Sequence, residues 1–315
     1  MIAEKLKHQG EAYAYCESTA AYRWHIRQLD DRGLMPNEID GKPALSLCNM
    51  KMAWDIDVRI EPLLKTTCPL CAKRYTAKKG GSMRTLVIPD VHNKIHTADS
   101  IIDREEWDEV VLLGDYFDDF DDSLDEAEET ADWLIKQSRM PNRICLIGNH
   151  DMPYAFPRQG FECSGWNFMK QAVINNVMGK REWSRLLPVY PVDKKYLLSH
   201  AGIHPSHVQV TGDSREIIIE TILQAYDRVW SESTEEELFR AGRSRGGTQK
   251  YGGITWLDWS EFEEIPGIPQ VVGHTAGGNW RSTGEGNYCL DTHLQHYAII
   301  EDDVVTVKNR VGEEQ

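Results

Sequence analysis

The sequence predicts an α/β fold preceded by a small separate unit, and three observations carry that expectation. From residue 85 onward, short continuous apolar runs, the pattern of strands buried on both faces, alternate with amphipathic helical segments. Charge divides at the same place. Residues 1–84 hold 14 Lys and Arg against 10 Asp and Glu, or +4, leaving 21 against 40, or −19, in a chain of net charge −15. Between the halves, Lys73 to Arg84 reads KRYTAKKGGSMR: charged, interrupted by Gly80-Gly81 and without hydrophobic period, which is linker composition. The expected organisation is a module at 1–80 and a main domain at 85–315.

The elements of the main domain follow in order. Thr85–Pro89 (TLVIP) and Val110–Leu113 (VVLL) read as buried strands. Ser123 to Met140 reads as a helix, with Leu124, Ala127, Ala131, Leu134 and Ile135 on one face and Ser123 and Glu126 spaced as a capping box. Arg143–Ile147 (RICLI), Tyr196–Ser199 (YLLS) and Gln270–Val272 (QVV) read as further strands. Residues 214–240 read as largely helical and 296–307 as a closing strand pair.

Composition bounds the function. In 315 residues, 41% apolar and 9% aromatic content supports a sizeable core and argues against disorder. No run of 18 apolar residues occurs, and the first 30 residues carry charges without an apolar core segment, so neither a membrane span nor a secretory signal is expected. Seven cysteines do not suggest a disulfide framework. A soluble protein of a reducing compartment, the cytoplasm, is the expectation. The acidic body repels a phosphate backbone unless cations offset it.

The chemistry sits where strands end. TLVIP runs into Asp90-Val91-His92, VVLL into Gly114-Asp115-Tyr116-Phe117-Asp118, RICLI into Gly148-Asn149-His150-Asp151, YLLS into His200-Ala201-Gly202, and QVV into Gly273-His274-Thr275. Five apolar strands thus each deliver Asp, Asn or His as the chain leaves the sheet. Functional groups in open α/β sheets gather at the carboxyl ends of strands. A single Asp-x-His or Gly-Asp is ordinary turn chemistry; five in series point to convergence. The donor types suit Mn, Fe, Zn or Ni rather than Ca.

This motif order resembles the calcineurin-like metallophosphoesterases (D-x-H, G-D-x-x-D, G-N-H-D/E, H-x-G, G-H-T) over residues 85–307. The resemblance implies a β-sandwich flanked by helices and a pair of divalent transition metals, manganese first, with Fe, Zn or Ni as options. It implies that Asp90 and His92 bind the first metal, Asp115 bridges both, and Asn149, His200 and His274 hold the second. His150 would be the catalytic acid, oriented by Asp118. Two ions about 3.5–4 Å apart can share a hydroxide at neutral pH and neutralise phosphoryl oxygens, so in-line attack on a phosphoester needs only protonation of the leaving oxygen. A histidine held by a carboxylate suits that task.

Details narrow the branch. Many phosphodiesterase and nuclease members read G-H-T-H, whereas Ala276 occupies the last position here. GNHD and SHAGI (Ser199–Ile203) look more like bacterial relatives of the phosphoprotein phosphatases, including dinucleoside polyphosphate hydrolases. That branch carries Asp-Arg where this chain has Asp118-Asp119, so the phosphate clamp must come from elsewhere. Candidates are Arg243 and Arg245 in R-S-R-G-G, with Arg245 ahead, because Arg pairs bidentately with phosphate oxygens. A flexible basic loop is the bland alternative. A phosphomonoesterase acting on phosphoprotein or nucleotide leads, a dinucleoside polyphosphate hydrolase follows, and a nuclease is the outsider.

Other features have plainer readings. In the acidic run from Asp118 to Glu129 only Asp118 looks functional, the interior reading as a solvated helix start. Cys163-Ser164-Gly165-Trp166 resembles a C-S-G-aromatic signature of phage-encoded phosphoesterases; it either shapes the pocket or is a packed loop. His204, His207, His293 and His296 read as surface or packing residues.

In the first unit, Cys68-Pro69-Leu70-Cys71 is a turn in which two thiolates can grip one ion. With Cys48 and His25 it would close a tetrahedral structural zinc site, a useful staple for a unit this small; Cys16 and His8 compete for the fourth place. The layout resembles small zinc-binding phage proteins and a zinc ribbon. Such a module permits contact with nucleic acid or a host protein, and a zinc-dependent binding role is the non-enzymatic alternative.

Overall fold

The computed structural model describes residues 83–310 except 120, 141, 194, 209–213, 232–235 and 285, plus the backbone of four short strands nearer the N-terminus. The chain divides into two compact units, Met1–Ser82 with Arg139–Asn142, and Met83–Ser138 with Arg143–Gln315. In the first, β1 (Tyr13–Glu17) and β2 (Trp24–Gln28) pair antiparallel in a register that sets Cys16 opposite His25. Strands β3 (Glu38–Ile39) and β4 (Lys42–Pro43) form a second antiparallel pair. Cys48, Cys68 and Cys71 lie outside the described residues.

The second unit is mixed α/β. Strand β5 (Thr85–Ile88) leads to helix α1 (Ile95–Arg104), then β6 (Glu109–Leu112), α2 (Leu124–Arg139) and β7 (Arg143–Cys145). The short α3 (Met152–Ala155), α4 (Phe168–Val177) and α5 (Lys180–Trp183) precede β8 (Val189–Val192) and β9 (Tyr196–Ser199). After α6 (Ser214–Trp230) come β10 (Gln270–Val272), β11 (Arg281–Ser282), β12 (Tyr288–Cys289), β13 (His296–Glu301) and β14 (Val304–Asn309).

Two five-stranded sheets result, ordered β14-β13-β5-β6-β7 and β11-β12-β10-β9-β8. Strands β5, β6 and β7 run parallel, as do β9, β10 and β12, while the outer members pair antiparallel. Strands β5, β6 and β10 are buried at every residue, which is why apolar runs dominate them (86–88, 110–112 and 271–272). Helix α1 buries Ile95, Ala98, Ile101 and Ile102, and α2 buries Ala127, Ala131, Leu134 and Ile135. These side chains share one core with Leu197 of β9 and Ile299 of β13.

The expected capping box is present: Ser123 Oγ accepts from Glu126 N–H at 3.2 Å, and Glu126 Oε2 accepts from Ser123 N–H at 2.7 Å. The helical reading of 214–240 is too long, because α6 ends at Trp230 and Glu237–Phe239 is a separate 3-10 turn. Strand β7 is shorter than RICLI; Leu146 instead forms an isolated bridge to Leu187. No helix among the described residues is long and apolar enough to cross a membrane.

Candidate metal centre

The five strand-end segments converge. Their approach depends on tight backbone turns: His92, Asn93, Asp115, Asp118 and His274 all take positive φ, between 43° and 66°. Left-handed backbone in non-glycine residues is strained and tends to mark functional turns. Two glycines make the crossing possible. A Cβ on Gly114, at φ 108°, would stand 2.6 Å from the Gly148 nitrogen, and one on Gly148 would stand 2.1 Å from Asp115 Oδ1. The buried Asp151 carboxylate laces the two loops, accepting N–H from Asp115, Tyr116 and Gly148 at 2.8–2.9 Å.

Inside this frame the donor atoms form a cage. Asp115 Oδ2 stands 3.2 Å from His200 Nε2 and 3.9 Å from His92 Nε2. Asn149 Oδ1 lies 2.9 Å from His200 Nε2 and 2.8 Å from His274 Nδ1, with the two ring nitrogens 3.2 Å apart. Asp90 Oδ1 accepts the His274 N–H at 2.9 Å and lies 4.0 Å from His200 Nε2. Two sets therefore have all their ligand atoms within 4.8 Å of one another: Asp90, His92 and Asp115, and Asp115, His200 and His274. Asp115 belongs to both.

These groups fit cations better than they fit each other. His200 Nδ1 faces the Leu113 carbonyl and His92 Nδ1 the Phe117 carbonyl, each at 3.0 Å. A carbonyl only accepts, so each Nδ1 carries hydrogen and, in the neutral ring, Nε2 offers a lone pair inward. The Asn149 Oδ1 faces His200 Nε2 and His274 Nδ1, and turning the amide round would let its NH₂ donate to His200, His274 and Asp115 instead. With a cation among these groups the amide would turn Oδ1 toward it. Asp90 Oδ2 and His274 Nε2 are buried without a hydrogen-bond partner, a costly state that coordination would relieve for the carboxylate.

The electrostatics agree. Burial, with Asp291 and Asp115 nearby, pushes Asp90 well above the usual carboxylate range. Burial would lower His200, but the Asp115 and Asp90 carboxylates carry it to about 9, so that a proton on Nε2 takes the place a cation would hold. Burial would raise Asp115, and His200, His150 and His92 together hold it down instead. Burial and Asp115 raise Asp151 to about 7. Carboxylates packed this closely out of water call for positive charge between them.

On the flank stands His150. Its N–H donates to Asp115 Oδ1 at 2.9 Å, and its Nδ1 lies 3.1 Å from Asp118 Oδ2. The other Asp118 oxygen accepts from Tyr154 Oη at 2.6 Å and from Lys170 Nζ at 3.0 Å. Gly165, at φ 88°, presses on Asp118 so closely that a Cβ there would lie 2.8 Å from the Asp118 Cβ. Asn149 Nδ2 donates to Cys163 Sγ at 3.1 Å, so the Cys-Ser-Gly segment borders the site.

The sequence did not reveal Lys170 or Tyr154, because neither stands in a motif. The interior of the acidic run also differs from the solvated start expected. Lys94 pairs with Asp119 at 2.7 Å, and Asp122 accepts from Asn93 at 2.8 Å and pairs with Lys170 at 2.5 Å. Of the two clamp candidates, Arg243 is exposed, while Arg245 Nε lies 2.8 Å from Asp258 Oδ2 and its Nη2 donates to Thr275 Oγ1 at 3.3 Å. Arg281, unremarked in the sequence, donates to the Thr275 carbonyl. His204 stacks on Tyr251 at 3.7 Å, His207 bonds the Gly252 carbonyl, and His296 bonds Thr292.

Fold and site together define a metal-dependent phosphoesterase, a hydrolase. The chain belongs to the calcineurin-like phosphoesterase family, which matches residues 83–277. That family uses two metal ions and acts on phosphorylated substrates. Among solved structures, a cold-active protein-tyrosine phosphatase of a psychrophilic Shewanella species is 14% identical, with 98% of this chain and 96% of that chain covered and a TM-score of 0.52. A metallophosphoesterase from Sphaerobacter thermophilus is 16% identical over 75% of this chain and 90% of that one, with a TM-score of 0.39. A serine/threonine phosphatase from Saccharomyces cerevisiae is 10% identical over 73% and 80%, with a TM-score of 0.43. The first likeness is one of fold. No curated protein matches the chain.

Proposed function

We propose that the chain is a two-metal phosphomonoesterase acting on a phosphorylated protein or nucleotide. The observation that carries this reading is the convergence of ligand atoms of Asp115, Asn149, His200 and His274 beside a carboxylate-held His150. Asp90 and His92 would hold one ion and Asn149, His200 and His274 the other, with Asp115 available to both. Manganese is the first candidate, with Fe, Zn and Ni next. When bound, the ions supply a nucleophile from water at neutral pH and neutralise phosphoryl charge. His150 protonates the departing oxygen from Nε2 while Asp118 keeps the hydrogen on Nδ1. Arg245 reaches for the phosphoryl oxygens, its guanidinium tethered by Asp258 and Thr275. Arg243 is the weaker candidate for this contact.

Ala276 in place of a second histidine supports a monoester over a nucleic-acid diester. The test is a panel of phosphopeptides, nucleotides, dinucleoside polyphosphates and single-stranded DNA, assayed with Mn²⁺ and after chelation. Metal-dependent release of inorganic phosphate from a monoester is expected. Turnover that survives chelation, or is confined to the diester, overturns the reading, and turnover confined to dinucleoside polyphosphates moves the substrate to that class.

For residues 1–80 we propose a structural zinc held by Cys48, Cys68, Cys71 and His25, in a module that binds nucleic acid or a host protein in the cytoplasm. Cys16 is the alternative to His25, since the β1–β2 register sets them opposite each other. A Cys68→Ser/Cys71→Ser variant is expected to lose one zinc per chain and retain small-substrate turnover. Unchanged zinc content refutes the site.

A further inference from the structure

Lys170 is a buried lysine, 4% exposed, in the first turn of α4. Its helix start is fixed by Asn167, whose side chain accepts from Met169 N–H and Lys170 N–H at 3.0 Å. From there the ammonium meets three acceptors: Asp118 Oδ1 at 3.0 Å, Asp122 Oδ1 at 2.5 Å and the Gly165 carbonyl at 3.0 Å. Both carboxylates are almost fully enclosed, with side chains 1% and 5% exposed. Two enclosed carboxylates so near each other need a cation, and an ammonium has three donors to give.

The arrangement divides the Asp118 carboxylate. Oδ1 is occupied by Lys170 and Tyr154, leaving Oδ2 to face His150 Nδ1. A carboxylate free to rotate could offer either oxygen, and the imidazole would follow it. With one oxygen committed, the ring is held through a single contact and Nε2 keeps a fixed direction. The same ammonium reaches further. Through Asp122 it is coupled to Asn93, next to His92, and through the Gly165 carbonyl it anchors the segment carrying Cys163, which touches Asn149.

We propose that Lys170 is a positioning residue for proton donation, holding Asp118 so that His150 presents Nε2 to the leaving oxygen. The inference rests on the assignment of His150 as the acid. Lys170 itself touches no substrate and transfers nothing. Its removal should therefore matter in proportion to how much the leaving group needs a proton.

The test is steady-state kinetics of the full chain with bound metal measured in parallel, on p-nitrophenyl phosphate (a good leaving group) and an alkyl phosphate (a poor one). Lys170→Met is expected to lower kcat on the alkyl ester about tenfold, a part of the roughly 10²–10⁴ that a general acid contributes. KM and metal content should stay near wild type, and the loss on p-nitrophenyl phosphate should be clearly smaller. Lys170→Arg should recover most of the rate. Placed on a His150→Ala background, Lys170→Met should add no further loss. Should the methionine variant fail to fold, Lys170→Gln carries the same expectations. Equal losses on both esters, or a loss that adds fully to that of His150→Ala, overturn the proposal and leave Lys170 a structural pair. If His150→Ala alone discriminates between the two esters while the Lys170 variants do not, only the positioning role falls. If His150→Ala does not discriminate either, the acid assignment and this inference fall together.

Discussion

The donor cage and the flank beside it are built in different ways. In the cage each side chain follows directly from the end of a buried strand, and backbone contacts fix it: the Asp151 carboxylate on three N–H groups, Gly148 against Asp115, and His274 N–H on Asp90. On the flank His150 takes its orientation from Asp118, Tyr154 and Lys170, which come from a loop and two helices and meet through side chains. A backbone-built cage tolerates almost no change in shape, whereas a side-chain network can lose one member and partly re-form. The difference predicts a steep response to mutation in one region and a graded one in the other.

Asp115→Asn tests the steep side and should have the largest effect, removing a charge from both ligand sets at once. Bound metal measured by elemental analysis should fall, and turnover should drop to background. Full metal loading with full activity would break the cage as described. His150→Ala should keep the metals and slow poor leaving groups by roughly 10²–10⁴-fold, with a smaller loss on p-nitrophenyl phosphate. An equal loss on both would merge the flank with the cage.

Gly148→Ala sharpens the same contrast through the backbone. The added methyl would stand 2.1 Å from Asp115 Oδ1 and 2.4 Å from the Asp115 nitrogen, and the neighbour is backbone that cannot step aside. A stability loss of about 1–3 kcal/mol is expected, with weakened metal binding. A melting temperature and metal affinity unchanged from wild type would show that the cage is softer than its contacts imply.

The smallest effect belongs to a pair outside both regions. Burial would raise Glu105, but the Tyr297 hydroxyl at 2.5 Å and Lys308 at 3.0 Å hold it below the usual carboxylate range. A lowered carboxylate contributes stability above its unfolded-state value and loses it as pH falls through the lower folded one. Glu105→Gln should cost less than about 1 kcal/mol at neutral pH, and denaturant titrations should show the difference closing in acid. Activity should not change. A difference that widens in acid would contradict the sign.

Sequence carried the cage further than the flank for a physical reason. A strand buried on both faces must be apolar throughout, so its end stands out, and Asp, Asn or His immediately after it is conspicuous. Asp90, Asp115, Asn149, His200 and His274 were legible on that ground. Asp118 and His150 take their expected roles only from the resemblance to the family's motifs. Lys170 lies 52 residues from Asp118 in sequence, on a helix with no expected apolar stripe, and nothing local marks a lysine as buried. Helices α1 and α4 also passed unread. Asp119 and Asp122 read as part of a solvated helix start, since a run of acids looks the same whether or not Lys94 and Lys170 fold back onto it.

Strand β5 has a consequence for how the protein is made. It carries the chain toward Asp90, yet its second edge is covered only by β13, where Ala298 pairs with Val87, and Asp90 binds an N–H 184 residues away. Ribosomes add about 5–20 residues per second, so the first ligand-bearing strand emerges about 10–40 s before its partner does. Throughout that interval the edge of a largely apolar strand is open to mispairing, and for most of it the second ligand set lacks His274. The first ligand set, Asp90, His92 and Asp115, is complete within the first 115 residues, whereas the second waits for His274. Completion of the two-ion cage therefore comes late in synthesis, and until then the open β5 edge gives a chaperone or an aggregate its best opportunity.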